Sequence, residues 1–451
     1  MSLKLDQLGK LQSNILQSPA LQQQCESLDW QELERAIAAC IHSKESLDDS
    51  EPYAPASFYP LEPKTDGQQK LYADATALGL EILTSGKVAI FMVAGGQGSR
   101  LGFTGPKGML PVSIVKQKTL FQLFAERIKG LELKYQTTLP WYIMCSPLNK
   151  EATIEFFKEQ QYFGLNPDHV MFFTQGMMPA TDFEGNLILS SVDSLAFSPN
   201  GHGGAIAALN QSGAISDMRE RGIDHLSFFQ VDNPLSSLVD PLFIGLHAMQ
   251  DSDMSCRSLT KTNPFEKLGN FVCSEDRTFI IEYSDLPEKK ALEVDEDDQM
   301  KYKAGSPGIY LFRRDFIEQF AHSTLELPYH RAEKKVPCLD DHRTLVIPTE
   351  VNAVKFETFI FDALLLARNP VILEANRHEE FSPIKNKTGV DSLESAQEDM
   401  NKKSHQWLNE LGIDPPVNTL IELSAESFPT RDELALATLP NLDAESHYYL
   451  E

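Results

Sequence analysis

A chain of 451 residues is two to three domains' worth at roughly 150 residues each, which gives room for a large buried core and excludes a stapled mini-protein. Hydrophobic residues at 42% and charged residues at 23% are those of an ordinary globular chain and exclude wholesale disorder. The 40 basic residues against 65 acidic give a formal net charge of -25 and a pI near 4.8, which speaks against nucleic acid or an anionic membrane as partner. Any phosphate the chain binds must therefore meet a local cluster of cations.

Residues 1 to about 45 read as helical, with Leu5, Leu8, Leu11 and Ile15 and later Leu33, Ile37 and Ile41 at apolar positions. From Glu51 to Asp66 the residues Pro52, Pro55, Pro60 and Pro63 forbid a continuous helix and predict an extended connector; helical spacing returns over 71–84. The runs Val88 to Val93, Trp141 to Cys145, Val170 to Phe173 and Leu226 to Val231 have strand length and composition, with amphipathic stretches between some of them. That alternation predicts a largely parallel sheet covered by helices on both faces. Between the first two runs, Thr119 and Gln122 form a capping-box pair ahead of a helix over 119–132, with Leu120, Leu123, Phe124, Ile128 and Leu131 on one face. Residues 270–284 read as two antiparallel strands about a Glu-Asp-Arg turn, and the acidic run Glu293 to Asp298 as a solvated loop. After about residue 396 come a polar helix and, beyond Pro415 and Pro416, short segments suited to a small appended domain. The expected division is 1–85 helical region and connector, 86–395 catalytic domain and 396–451 C-terminal domain.

Cys25, Cys40, Cys145, Cys256, Cys273 and Cys338 are scattered without ligand spacing and read as reduced core thiols. No apolar run is long enough to span a membrane, and MSLKLDQLGKLQSN lacks the order of a secretory signal, so a cytoplasmic location is expected.

The most informative segment is VAIFMVAGGQGSRLGFTGPKGMLPV, residues 88–112. A strand ends in Gly95, Gly96 and Gly98, with Arg100 and Lys107 following; glycines let backbone N–H groups approach an anion closely. A Walker A loop requires Gly-Lys-Ser/Thr, but Gly108 follows Lys107. The dinucleotide fingerprint requires a glycine at 101, where Leu101 stands, and a nicotinamide enzyme would carry an acidic residue after the next strand, where WYIMCSP has none. Two cations inside the loop suit a triphosphate undergoing cleavage better than a diphosphate held by amides.

The string AGGQGSRLGFTGPKGM resembles the signature of the UDP-N-acetylglucosamine pyrophosphorylase branch of the UDP-sugar pyrophosphorylases. FFTQGMMPA, GHGG, FFQVDNPL, KTNPFEKLG, IIEYSDL, LPYHRAEKKVP, VKFETFIFDAL and EEFSPIKN agree in the same order, together reaching from about residue 88 to 387. The resemblance implies an α/β protein with a Rossmann-like nucleotidyltransferase central domain on a mixed, mostly parallel sheet, an N-terminal helical region and a small C-terminal domain. It implies that UTP and a sugar 1-phosphate are the substrates, and UDP-sugar and pyrophosphate the products. Arg100 and Lys107 would hold the triphosphate and departing pyrophosphate, Lys385 the sugar phosphate, and Asp232 a Mg²⁺ ion at the end of a parallel strand. Ala94, Gly95, Gly96, Gln175, Gly201 and His202 would lie on the nucleotide side, and Gly269, Glu282, Phe359 and Phe361 on the sugar side. A merely nucleotide-binding relative would have no need of Arg100, Lys107, Asp232 and Lys385 together. Two departures concern the sugar. His202-Gly203-Gly204 stands where this branch carries Asn-Gly-Gly, and Lys303-Ala304-Gly305-Ser306 where it carries Asn-Ala-Gly-Asn. N-acetylglucosamine 1-phosphate is the first expectation, with glucose 1-phosphate or a broader range of sugar phosphates the alternative.

Overall fold

The computed structural model describes residues 18–42, 53–275, 277–322, 325–340, 342–443 and 447–451; Leu5, Leu8, Leu11 and Ile15 lie outside them. The chain divides into two compact units, one drawn from segments 1–51, 175–208 and 324–363, the other from 52–174, 209–323 and 364–451.

The second unit is built on an eleven-stranded sheet. Its strands are β1 (Ala54–Pro55), β2 (Val88–Val93), β3 (Trp141–Cys145), β4 (Val170–Thr174), β5 (His225–Gln230), β6 (Met254–Thr260), β7 (Gly269–Ser274), β8 (Arg277–Ile281), β9 (Ala304–Ser306), β10 (Tyr310–Arg313) and β11 (Val371–Glu374). They run in the order β1-β7-β9-β6-β10-β5-β2-β3-β4, with β8 paired to β7 and β11 to β6. The four runs read from sequence form one parallel block, β5-β2-β3-β4. Beyond β5 the sheet turns antiparallel through β10, β6, β9 and β7, apart from the parallel pair β6–β11. The block's composition follows from its position: Val88, Ala89, Ile90, Phe91 and Met92 are all at most 1% exposed, as central strands covered on both faces must be.

Helix α1 (Asp66–Thr84) begins at Thr65, whose hydroxyl accepts from the Gln68 N–H at 3.2 Å. Helix α2 (Leu120–Tyr135) begins at Thr119 as expected, but the box is half closed: Thr119 accepts from the Gln122 N–H, while the Gln122 amide donates to Glu126. Helices α3 (Lys150–Glu159), α4 (Pro241–Met249) and α5 (Leu393–Glu410) complete the set used below. Two glycines let α1 and α4 cross backbone to backbone: a Cβ on Gly79 would lie 1.8 Å from the Pro241 carbonyl oxygen, and one on Gly245 1.7 Å from that of Ala75. The antiparallel hairpin expected near 270–284 is β7–β8. The acidic run closes on itself, with Asp295 accepting from the Asp297 and Gln299 amides and Glu293 paired to Lys301. The C-terminal segment packs Trp407, Leu408, Ile421, Phe428, Leu434 and Leu450 into a small core of its own.

In the first unit, helices Pro19–Ser27 and Trp30–Ile37 are capped by Ser18 and Asp29. They share a core with Met178, Leu195, Val354 and Phe356 from the antiparallel pairs 177–179 with 197–199, 189–191 with 194–195 and 330–334 with 353–357. All six cysteines are free thiols.

Candidate functional site

The site in the second unit grows from the carboxyl ends of β2 and β5. The Ala94 N–H still donates to the Met144 carbonyl at 2.8 Å, after which the chain leaves the ladder. The loop then folds back on itself: the Lys107 N–H donates to the Gly96 carbonyl at 3.0 Å, and the Gly98 N–H to that of Gly105 at 2.9 Å. Gly98 has no room for a side chain, since a Cβ there would meet the Phe103 ring at 2.7 Å. Gly96 is exposed, and a Cβ there would meet Lys107 Cε in ordinary contact at 3.9 Å. The N–H groups of Gly95, Gly96 and Gln97 donate to nothing among the described residues. Three backbone donors beside an ammonium make an anion cradle.

Lys107 and Asp232 are brought together from 125 residues apart: Nζ stands 3.4 Å from Asp232 Oδ2 and donates to the Ile384 carbonyl at 3.2 Å. The two side chains are 15% and 13% exposed, half-open to a ligand, and the pair is loose. Asp232 follows directly on β5, whose ladder is continued by the Val231 N–H donating to Val93. Asn233 ties this strand end to the segment carrying Lys385. Its amide donates to the Glu380 carbonyl at 2.7 Å and its oxygen accepts from the Ser382 N–H at 2.9 Å, while the Ile384 N–H donates to the Asp232 carbonyl. Lys385 is exposed, with its backbone fixed by Asp391, whose carbonyl accepts from both the Lys385 and Asn386 amides at 2.7 and 2.9 Å. Asp391 holds a positive φ of 58°, and burial raises the pKa of its carboxyl, with Lys385 opposing and Asp232 adding to the rise. Arg100, on the single turn Ser99–Leu101, is exposed and makes no hydrogen bond or ion pair among the described residues.

Gly269 and Glu282 lie elsewhere, Gly269 at the start of β7 and Glu282 just after β8, with three strands (β9, β6 and β10) between β7 and β5. Asn270 pairs with Ile281, which sets Gly269 opposite Glu282 one step on; Gly269 also pairs with Ser306.

The first unit holds the remaining candidates, beginning with Gln175, which is buried directly after β4 in sequence. Gly201 has φ 81°, and a Cβ there would strike the Thr358 carbonyl oxygen at 2.3 Å. His202 Nδ1 accepts from the Ile360 N–H at 3.1 Å, which fixes the ring beside both Phe359 and Phe361, with centroids at 5.3 and 5.8 Å. Phe359 stacks on Phe361 at 5.0 Å and meets the His330 ring at 4.4 Å; His330 Nε2 lies 2.8 Å from Asp362 Oδ2. Phe361 is buried and Phe359 half-exposed.

Three framework residues were missed from sequence: Asn233 and Asp391, which hold the segment carrying Lys385, and Asn149, which holds the glycine loop. Asn149, 1% exposed, donates from its amide to the Ala94 carbonyl at 2.9 Å and to that of Gly96 at 3.4 Å, and accepts from the Ser146 N–H at 2.8 Å. Its partners are backbone atoms, so no side-chain pattern in the sequence marks it.

Residues 22–445 match the family model described as UTP–glucose-1-phosphate uridylyltransferase. The chain is 38% identical over 389 residues to UDP-N-acetylhexosamine pyrophosphorylase-like protein 1 of Mus musculus, covering 83% of this chain and 74% of that one. It is 33% identical over 394 residues to the UDP-N-acetylglucosamine pyrophosphorylase of Saccharomyces cerevisiae, covering 85% and 82%. Its fold is that of the Trypanosoma brucei uridine diphosphate N-acetylglucosamine pyrophosphorylase crystallised with an inhibitor, at TM-score 0.78 and 24% identity over 96% of this chain and 93% of that one. With the glycine loop, the strand-end aspartate and these matches taken together, the chain belongs to the UTP–glucose-1-phosphate uridylyltransferase family.

Proposed function

We propose that this protein is a cytoplasmic uridylyltransferase that joins UTP to a sugar 1-phosphate, N-acetylglucosamine 1-phosphate first, and releases pyrophosphate. Glucose 1-phosphate or a wider range of sugar phosphates is the alternative, raised by His202 and Ser306. The observation that carries the reading is the cradle itself: unengaged N–H groups at Gly95, Gly96 and Gln97 beside the Lys107 ammonium. Among the described residues no helix is long and apolar enough to cross a membrane.

In the proposed reaction a phosphate oxygen of the sugar 1-phosphate forms a bond to the α-phosphorus of UTP, and the bond from that phosphorus to the bridging oxygen breaks. Pyrophosphate leaves with the electron pair. Such a transfer between two anions needs charge neutralisation and in-line placement rather than a protein nucleophile. Arg100 and Lys107 receive the β- and γ-phosphates and the leaving pyrophosphate, and Lys385 receives the sugar phosphate. Ala94, Gly95, Gly96, Gln175, Gly201 and His202 serve the nucleotide; Gly269, Glu282, Phe359 and Phe361 serve the sugar.

A Mg²⁺ ion fits the donor set. Asp232 offers a carboxylate whose ion pair to Lys107 is 3.4 Å long, and no group of three or more metal-ligating side chains occurs among the described residues. One carboxylate with phosphate oxygens and waters is how this ion is commonly held. When bound, it would supply charge neutralisation at the phosphates. Purified protein incubated with UTP, Mg²⁺ and each sugar phosphate in turn is expected to release pyrophosphate and form the matching UDP-sugar. Silence with every sugar phosphate removes the proposal.

A further inference from the structure

We infer that Asn149 is a positioning residue whose side-chain amide aims the glycine loop's peptides at the nucleotide phosphates. The inference rests on the uridylyl reading above. Asn149 is the N-cap of α3, a place where Asn ordinarily accepts from the second or third helical amide, yet it makes no such bond. Its oxygen turns back to the Ser146 N–H, and its amide reaches 55 residues away to the carbonyls of Ala94 and Gly96. A capping interaction at the start of α3 is forgone in favour of a contact with the loop.

The consequence follows from the planar trans peptide, in which C=O and N–H point in opposite directions. Drawing the Ala94 carbonyl toward Asn149 points the Gly95 N–H away from it, and drawing the Gly96 carbonyl inward does the same for Gln97. The Lys107 N–H adds a second bond to the Gly96 carbonyl, so that peptide is held from two sides. Gly95 and Gln97 are two of the residues whose amides have no acceptor among the described residues. Asn149 is buried at 1% exposure and has no route to a substrate of its own; it acts through the loop.

Asn149→Asp separates this role from helix capping. Aspartate is as good an N-cap as asparagine and can still accept from Ser146, but it cannot donate to either carbonyl. If the residue served only α3 and the Ser146 turn, Asn149→Asp would be neutral or stabilising and would bind UTP like the wild type. As a positioning residue, Asn149→Asp is expected to weaken UTP at least tenfold in calorimetric titration without sugar phosphate. The KM for sugar 1-phosphate at saturating UTP should stay within about twofold, by the principle that only the lost contact is felt. Amide exchange over residues 94–98 should accelerate in the free protein. Asn149→Ser, which caps and keeps one donor, should fall between the two and carries the test if the aspartate variant does not fold. Wild-type UTP affinity together with unchanged loop exchange in either folded variant overturns the inference. Failure of the wild type itself to bind UTP defeats the uridylyl reading instead, while the exchange comparison still decides whether Asn149 holds the loop.

Discussion

The two ends of β5 both carry polar groups, and the protein handles them in opposite ways. At the amino end His225 is 9% exposed, its Nδ1 has no partner among the described residues, and its ring meets that of His247 edge-on at 5.3 Å. His247 is fully buried, with Nδ1 2.7 Å from the Ser255 hydroxyl. Burial lowers the pKa of both histidines, so this end is kept neutral and sealed. At the carboxyl end, Asp232 and Lys107 form a loose pair at 3.4 Å that is partly open, and the neighbouring loop holds backbone donors with no acceptor among the described residues. Open α/β sheets place ligands at the carboxyl ends of their strands. The comparison separates function from stability within one strand: changes at the carboxyl end should strike turnover, and changes at the amino end should strike folding.

The largest effect is expected from Lys107→Ala. Removing an electrostatic stabiliser of this kind lowers turnover by about 100-fold or more. Among the described residues its ammonium bonds Asp232 and the Ile384 carbonyl alone, so the melting temperature should move little, and Arg100→Ala, which removes an exposed group, should move it less still. Steady-state rates of pyrophosphate release beside circular-dichroism melts check both; a rate within twofold of wild type for either variant would break the functional half of the comparison.

Asn233→Ala sharpens the boundary, because this residue belongs to both categories. It is 4% exposed and satisfies the Glu380 carbonyl and the Ser382 N–H. Leaving buried backbone groups unsatisfied costs about 1–3 kcal/mol, so a stability loss near 2 kcal/mol is expected in urea titrations. The same change frees the segment that presents Lys385, so kcat should fall as well. A variant that loses stability at full kcat would show that the tether is structural alone.

The parallel half of this organisation was legible in the sequence, because β2, β3, β4 and β5 are continuous apolar runs and α2 follows a helical period behind Thr119. The antiparallel half was not. Ala304–Ser306 and Tyr310–Arg313 are three and four residues long, too short for any periodicity to register. Within the site, Lys107 and Asp232 were visible through their motifs, yet Asn149 and Asn233 act across 53 to 149 residues on backbone atoms, and backbone partners leave no trace in side-chain pattern. The Glu-Asp-Arg hairpin was legible for the contrary reason, since its two strands are adjacent in sequence and its register is set by the turn itself. His225 and His247 gave no warning at all: one sits at a strand start and the other in the last turn of α4, and only the fold brings their rings together.

That buried pair supplies the smallest and most diagnostic expected effect, a pH dependence assigned to the sealed end. Burial, the leading cause, takes His225 from 6.5 down to about 4; Asp224 opposes the shift, and Arg313 and Lys87 add to it. Between those values the unfolded chain binds a proton that the folded one refuses. The stabilisation is therefore complete above pH 6.5 and is lost as pH falls toward 4. At pH 5.5, one unit below the ordinary value, the loss from this residue is about 1.4 kcal/mol. His247 titrates in the same sense, its pKa lowered first by burial and then by His225 and Arg313. Urea titrations at pH 7.5 and 5.5 should show wild type less stable at the lower pH, and His225→Phe should recover about 1.4 kcal/mol of that difference. The ring of Phe keeps the edge-on contact, and the Nδ1 it replaces has no partner to lose among the described residues. Turnover at pH 7.5 should be unchanged in this variant, since His225 starts the strand whose far end carries Asp232. An acid slope that His225→Phe leaves as steep as before would place the proton elsewhere, and a fall in turnover at pH 7.5 would erase the distinction between the strand's two ends.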